Sequence, residues 1–590
     1  MHLEESLRRL EDAQLILLEP SGGPAAAFKH VLVQESAYQS LVRPERRRLH
    51  LLVGQTLESM FPDRREELAD VLAQHFDEAG DAARAIDLYS MAGELAARRT
   101  ANLEAAALFG RAFDLAVESR ADEDVLTRLG ARHGRSLELA GRQHEALAAY
   151  DGMVREARQR GLRRLEIDGL AAGASLQAVP TAVFDLEASK RRSDEALRLA
   201  QSQGDAAAES RILWTRMRAA SEEDPGQALA YGERSLALAR GLGLQEQVAF
   251  TLNDLQSSYL ATGQFQNAME TLEEARSLWT SLDNLPMLTD SLISLSMLRL
   301  IAGAYDEADR LAQEGLAISE RIGNVWGQSY ARGPIGMIQF ARLELGPAIT
   351  TFRECIELAE RAGFLDPQVS ARSQLAACLG QAGDFEAARS ELERAFVIAE
   401  GKNLRWRISV LSARAWLAVL EGDAAAARAD LAAIDLISQD RLRVAGESGF
   451  IAPYAWLETD MLTGNFEAGL ALVDEIDSWS QEYHLSGFDG MILTYRGAIL
   501  RNLGRTDEAR PTLHRALHQI EAHRLGAAAW RALAELADLE ADAGESAEAA
   551  QHRREAGDWF RTIAVGLKEP RLRRTFEATA AFRRVVEASA

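Results

Sequence analysis

The sequence predicts an all-α chain of stacked helix pairs, and three observations carry that expectation. A glycine recurs about every 40 residues, at Gly263, Gly303, Gly383, Gly422, Gly464, Gly504 and Gly544. Five residues after each comes a small side chain: Ala268, Ala308, Ala388, Ala427, Gly469, Ala509 and Ala549. Proline is scarce, at 13 in 590 residues, while 47% of the chain is hydrophobic, so helix is favoured over both strand and disorder. A period of this length is the mark of a repeat architecture, in which each unit buries its apolar face on the next.

Taking the glycine as position zero, the register runs through Gly141, Val183, Glu223, Gly263, Gly303, Leu343, Gly383, Gly422, Gly464, Gly504 and Gly544. Three units lack the glycine, yet the spacing of about 40 persists through them. Apolar residues follow at plus nine (Leu272, Phe352, Leu392) and small ones at plus twelve (Ala275, Cys355, Ala395). These offsets trace one helical face, and its small residues allow close approach of two helix axes. Before zero, minus eight is large (Leu255, Leu295, Trp456) and minus seven is often small (Ser296, Gly336, Ala376), which marks the first helix of each pair. A second glycine near plus twenty, as at Gly161, Gly243, Gly323 and Gly363, is expected to end the second helix in a left-handed cap.

The columns resemble the tetratricopeptide repeat over about residues 65–565, with units longer than that family's usual 34 residues. The fold expectation is therefore a tetratricopeptide-like α-α superhelix, or solenoid, of about 12 helix pairs over residues 61–565. A capping helix or tail is expected over 566–590.

Residues 1–60 differ. Residues 3–12 read as the end of a helix, Leu15-Ile16-Leu17-Leu18 as a strand, Glu19 to Pro24 as a turn and Ala25 to Phe28 as a returning strand. Helices are expected at about 29–42 and 45–60, split by Pro44. This segment looks like the end of a winged-helix domain. The run Phe28 to Leu41, with Arg46-Arg47-Arg48-Leu49-His50, resembles a segment of bacterial STAND ATPases, signal-transduction ATPases with numerous domains. There it lies between the nucleotide-binding module and a tetratricopeptide array like that of the maltose-regulon activator; many members carry a cyclase or kinase upstream. No Gly-x-x-x-x-Gly-Lys-[Ser/Thr] phosphate loop occurs; the one Gly-Lys pair is Gly401-Lys402, followed by Asn403. The chain thus resembles the sensor arm of such a protein, with a stand-alone scaffold or adaptor as the alternative.

Net charge is −23, which disfavours broad nucleic-acid binding. No signal peptide is evident, no segment is apolar enough to span a membrane, and the two cysteines build no disulfide framework; a cytoplasmic location is expected. Cys355 and Cys378 read as small core residues. His514 and His518, four apart with His523 beyond, have a zinc-like spacing, but no further ligand motif completes a site. The acidic run Glu222-Glu223-Asp224 reads as helix-end charge. No metal, cofactor or catalytic group is expected, and the chain is expected not to be an enzyme.

By resemblance, the first helix of each pair lines a concave groove, at minus thirteen, minus ten, minus six and minus three. The candidate partner-binding residues are Asn253, Met297, Tyr330, Met337, Phe340, Trp416, Tyr454 and Met461, an apolar, methionine-rich lining. The competing reading is that a tight coil packs these residues against itself. Arg332 and Arg372 interrupt an apolar column at minus eleven; they are candidates for an anionic pocket, or pair with local carboxylates. The expected partner is a protein or peptide, or a small-molecule inducer.

Overall fold

The computed structural model describes residues 2–18, 26–179, 181–221, 224–400, 404–523 and 525–587. The Gly22-Gly23-Pro24 turn, Gly401-Lys402-Asn403 and Glu222-Glu223 lie outside the described residues. Its contacts divide it into two units, residues 1–172 and 173–590.

The first unit opens with α1 (His2–Asp12), a two-stranded antiparallel hairpin of β1 (Ile16–Leu18) and β2 (Ala26–Phe28), α2 (Val31–Ser40) and α3 (Arg43–Met60). Pro44 sits in the first turn of α3, where its missing N–H costs no hydrogen bond. The elements expected for residues 1–60 are thus present. Apart from α1 and its hairpin, antiparallel helices follow: α4 (Ala69–Ala79), α5 (Ala82–Arg98), α6 (Asn102–Glu118), α7 (Glu123–Leu139), α8 (Gln143–Arg160) and α9 (Arg163–Gln177). Helix α9 crosses the boundary between the units.

The second unit continues the pattern with α10 (Leu186–Gln203), α11 (Ala206–Ala220), α12 (Pro225–Gly241), α13 (Gln245–Ala261), α14 (Phe265–Ser281) and α15 (Leu285–Ile301). Next come α16 (Tyr305–Arg321), α17 (Val325–Ala341), α18 (Leu345–Ala362), α19 (Leu365–Gln381), α20 (Phe385–Ala399) and α21 (Leu404–Glu421). The last repeats hold α22 (Ala424–Asp435), the short α23 (Arg441–Glu447), α24 (Ile451–Thr463), α25 (Phe466–Tyr483) and α26 (Asp489–Asn502). The unit closes with α27 (Thr506–His523), α28 (Gly526–Asp542), α29 (Ser546–Gly566) and α30 (Pro570–Glu577). The architecture is an all-α array of tetratricopeptide-like helix pairs.

Helices reverse where the backbone enters the left-handed region. The glycines at position zero do so, from Gly141 (φ +73°) through Gly263 (+75°), Gly383 (+76°) and Gly504 (+75°) to Gly544 (+83°). The plus-twenty glycines Gly161, Gly243, Gly323 and Gly363 do the same and cap the second helices. Leu343 keeps the register without glycine, at φ +58°, and its side chain is buried in a core cluster, which offsets the strain. Thr100 (φ +59°) makes the equivalent reversal in the unit preceding Gly141. Val183 departs from the expectation: it is buried in an irregular connection between α9 and α10, not at a left-handed turn.

Burial follows the repeat columns. Ala268, Leu272 and Ala275 are fully buried, as are Ala388 and Ala395 with Leu392 nearly so. From α11 onward the two helices flanking position zero pack most closely, except α24 and α25 about Gly464, and the first helices of successive pairs also touch in the second unit, as in α15 with α17 and α19 with α21. First helices therefore form the inner layer there.

The second unit also closes on itself. Tyr305 Oη donates to the Gly487 carbonyl (3.1 Å), 182 residues away. Ser486 Oγ donates to the Ala302 carbonyl (2.5 Å) across 184 residues, and Thr575 Oγ1 to the Ala382 carbonyl (2.8 Å) across 193. Arg571 pairs with Asp384 at 2.9 Å. These separations equal between four and five units of the repeat, so one turn of the coil rests on the next. One core cluster accordingly joins Leu343, Leu345 and Phe352 to Phe560, Ile563 and Phe576, and another joins Leu300 and Ile338 to Leu513, Ile520 and Ala529.

Candidate functional site on the inner helices

Coil closure decides the fate of three groove candidates. Met297 packs against the cluster that includes Leu513 and Ala529, Met337 against both joined clusters, and Phe340 against the one holding Phe560. Trp416 and Tyr454 lie in ring contact at 6.0 Å, and Tyr454 and Met461 pack against the core around Trp456 and Tyr495. Burial pushes the Tyr454 hydroxyl up to about 12. These six side chains are half-buried against the core clusters.

The two arginines each find carboxylates. Arg332 pairs with Glu354 (3.0 Å) and Glu320 (3.6 Å) and donates to the Gln328 carbonyl (3.0 Å). Arg372, 4% exposed, pairs with Glu360 and Glu391. Local carboxylates thus pair with both guanidinium groups, while the buried Arg372 Nε has no acceptor among the described residues.

Asn253 and Tyr330 belong to a different region, the N-terminal halves of the inner helices. Asn253, 3% exposed, accepts from Ser291 Oγ (2.6 Å) and donates through Nδ2 to Asp290 Oδ2 (2.5 Å) and Asp254 Oδ1 (3.4 Å). Asp254 also accepts from Trp214 Nε1 (2.9 Å) and faces Arg218 (3.4 Å), which lies over the Trp214 ring. Burial pushes the Asp290 carboxyl up to about 7; the charge of Asp254 adds to this, and the Asn253 hydrogen bond and Arg218 oppose it. Tyr330 is half-buried, and burial first, then the charge of Asp290, raises its hydroxyl above the ordinary range. Its ring continues into Trp326 and Phe364, with centroids 5.3 Å apart in each step. Beyond, Asp366 accepts from Trp406 Nε1 (2.7 Å) and pairs with Arg405.

Asp290 was missed by sequence reasoning although its signal was present. It stands at minus thirteen, the column of Tyr330, with Phe250 in the preceding unit. A carboxylate between two aromatic positions of a groove column was the available clue.

In the first unit an open groove of about 580 Å³ is lined by Glu66, Ile86, Asp87, Met91, Glu94 and Arg128, among others. With Thr100 as zero, Asp87, Ser90 and Glu94 occupy minus thirteen, minus ten and minus six. The expected groove columns therefore do line a groove here, in a unit whose marker is threonine and so escaped the glycine pattern. A smaller recess of about 260 Å³ lies where His50 Nδ1 and His75 Nδ1 meet at 2.9 Å, with Tyr38 Oη 3.0 Å from His50 Nε2. Burial, then the charge of His50, lowers the basicity of His75.

Cys355 and Cys378 are buried thiols; burial pushes Cys355 up to about 12 and Cys378 higher still. His514 stands 6.3 Å from the His552 ring, and the His523 side chain lies outside the described residues. Among the described residues no three His, Cys, Asp or Glu side chains are placed to hold a metal, and no helix is long and apolar enough to cross a membrane.

No protein-family model matches the chain, and no curated protein matches it. It is similar to several solved structures. BtubC (BKLC) from P. vanneervenii is 21% identical over 38% of this chain and 89% of that one, with a TM-score of 0.31. A STAND protein with a tetratricopeptide repeat sensor from Pyrococcus horikoshii is 15% identical over 63% of this chain and 65% of that one, with a TM-score of 0.33. A Rap protein complexed with Competence and Sporulation Factor is 13% identical over 68% of this chain and 99% of that one, with a TM-score of 0.36. At such scores the likeness carries no argument about function.

Proposed function

We propose that the chain is a non-enzymatic arm that binds a protein or peptide partner, or a small inducer, on its inner helices, and that it serves a STAND-type signalling protein. One observation carries the reading. Thirteen of the twenty-two exposed large apolar side chains among the described residues fall between Leu10 and Val71. They include Val31 (65% exposed), Leu32 (71%) and Val42 (70%), and α2 buries no residue at all. Apolar surface concentrated this way marks an interaction face. It lies in the segment that resembles the junction between a nucleotide-binding module and its sensing array. A ligand on the array acts on such a module only by binding its two states unequally.

The test is to read the gene upstream of Met1 in frame, then to assay the longer product. An in-frame phosphate loop, with nucleotide turnover that changes when the array is removed, is the expected result. A stop codon immediately upstream favours the alternative, a free-standing scaffold. Nucleotide turnover by this chain alone contradicts both.

A further inference from the structure

Three carboxylates lie along the inner helices of the second unit, and two are matched. Asp254 on α13 has Arg218 and the Trp214 indole N–H; Asp366 on α19 has Arg405 and the Trp406 indole N–H. Asp290 on α15, between them, has no cation within ion-pair distance among the described residues and one hydrogen-bond donor, Asn253 Nδ2. That donor is shared with Asp254 and fixed from behind by Ser291. Helix α17 brings Tyr330, whose ring continues into Trp326 and Phe364, within electrostatic range of the carboxylate. Asp290, Tyr330 and Trp326 are all half-buried.

A carboxylate short of donors next to aromatic faces is the environment that an ammonium or guanidinium group satisfies twice. The carboxylate supplies a charge-assisted hydrogen bond and the ring quadrupole supplies cation–π attraction. We propose that the inner face at Asp290 is a binding site for an organic cation, an ammonium or guanidinium group, seated between the Asp290 carboxylate and the rings of Tyr330 and Trp326. The cation comes from a small amine or from a lysine or arginine side chain of a bound peptide. This deepens the sensing reading by naming its ligand chemistry. A chain that proves to be a free-standing scaffold keeps the site, and loss of the site leaves the upstream-module test untouched.

The site has a signature that a diffuse negative surface lacks. Asp290 is held near half-protonation at neutral pH, whereas exposed carboxylates are fully ionised there. The groups facing it are Arg218 from α11, Asn253 and Asp254 from α13 and Tyr330 from α17, with Asp366 and Arg405 behind Tyr330. A cation seated at Asp290 therefore expels a proton.

The experiment is calorimetric titration of the full chain at pH 7 with four probes: n-butylamine, N-acetyl-lysine methylamide, N-acetyl-arginine methylamide and the neutral citrulline counterpart. Each titration is run in phosphate and in MOPS, which carries no primary ammonium or guanidinium group, so that proton release appears as a buffer-dependent heat. Saturable binding of a cationic probe with proton release is expected, and no binding of the citrulline probe. Tighter binding of the amino-acid probes assigns the cation to a peptide; equal binding assigns it to a free amine. Asp290→Asn, an isostere that keeps the Asn253 contact, is expected to weaken binding about tenfold or more and to abolish the proton release. Trp326→Leu is expected to weaken binding severalfold, and Asp507→Asn, exposed at the start of α27, to change nothing. No saturable binding, binding without proton release, or Asp290→Asn affinity within about twofold of the native chain overturns the proposal.

Discussion

Gly383 and Gly504 hold nearly the same backbone angle, φ +76° and +75°, in equivalent turns of the repeat, yet alanine should affect them very differently. At both positions a Cβ in the left-handed region costs about 1 kcal/mol. At Gly504 nothing lies within 4 Å of the added methyl, so the cost ends there. At Gly383 the methyl would sit 2.6 Å from the Thr575 carbonyl oxygen and 2.9 Å from Thr579 Cγ2. The first neighbour is backbone and cannot rotate away, so the next turn of the coil must lift. Overpacking of this kind adds about 1–3 kcal/mol. The lift also strains the 2.8 Å bond from Thr575 Oγ1 to the Ala382 carbonyl and the Arg571–Asp384 pair. We expect a loss of about 1 kcal/mol for Gly504→Ala and about 2–4 kcal/mol for Gly383→Ala. Urea unfolding followed by far-ultraviolet circular dichroism gives both numbers from the midpoint shift. Equal losses for the two variants would refute the closure of the coil at this turn.

Other outcomes follow from the same geometry. Glu458, 8% exposed, accepts from Tyr495 Oη at 2.7 Å and pairs with Arg531; Glu458→Gln strands that guanidinium and should cost about 3–5 kcal/mol in a thermal melt. Asp290 binds its proton more tightly folded (about 7) than its reference value of 3.8, so its contribution to stability declines as pH rises from about 4 to 7. Asp290→Asn should remove that decline, leaving the variant more stable than the native chain at pH 8 by on the order of 2–4 kcal/mol and little changed at pH 4. Parallel pH–stability curves for the two proteins would count against the unmatched carboxylate. Arg120 occupies the left-handed region at φ +53° without glycine's freedom, and Arg120→Gly should raise stability by about 0.5–1 kcal/mol in the same melt.

Much of the architecture was legible because it is local. A glycine, a small residue five later, an apolar one at nine and a small one at twelve are all set by neighbours within one helix pair. Leu343 kept the period because burial of its side chain offset the strain of a left-handed turn. Thr100 escaped notice for the converse reason: the marker residue changed while Ala105, Phe109 and Ala112 kept the buried columns. Coil closure was not legible, since Tyr305 and Gly487 touch across 182 residues and no short-range pattern records it. That is why Met297, Met337 and Phe340, chosen as groove lining, turn out to face the chain's own later helices. The same columns line an open groove at Asp87 and Glu94 in the first unit.

The stacked turns of the second unit carry an evolutionary and kinetic consequence. In an open array, a 40-residue module can be duplicated or lost with only its two neighbours disturbed. Here a deletion between Asp384 and Ser486 would slide every latch out of alignment, so module number is frozen across that stretch. Pairing across such distances also raises contact order, so this stretch should assemble slowly and, once assembled, melt as one block instead of fraying module by module.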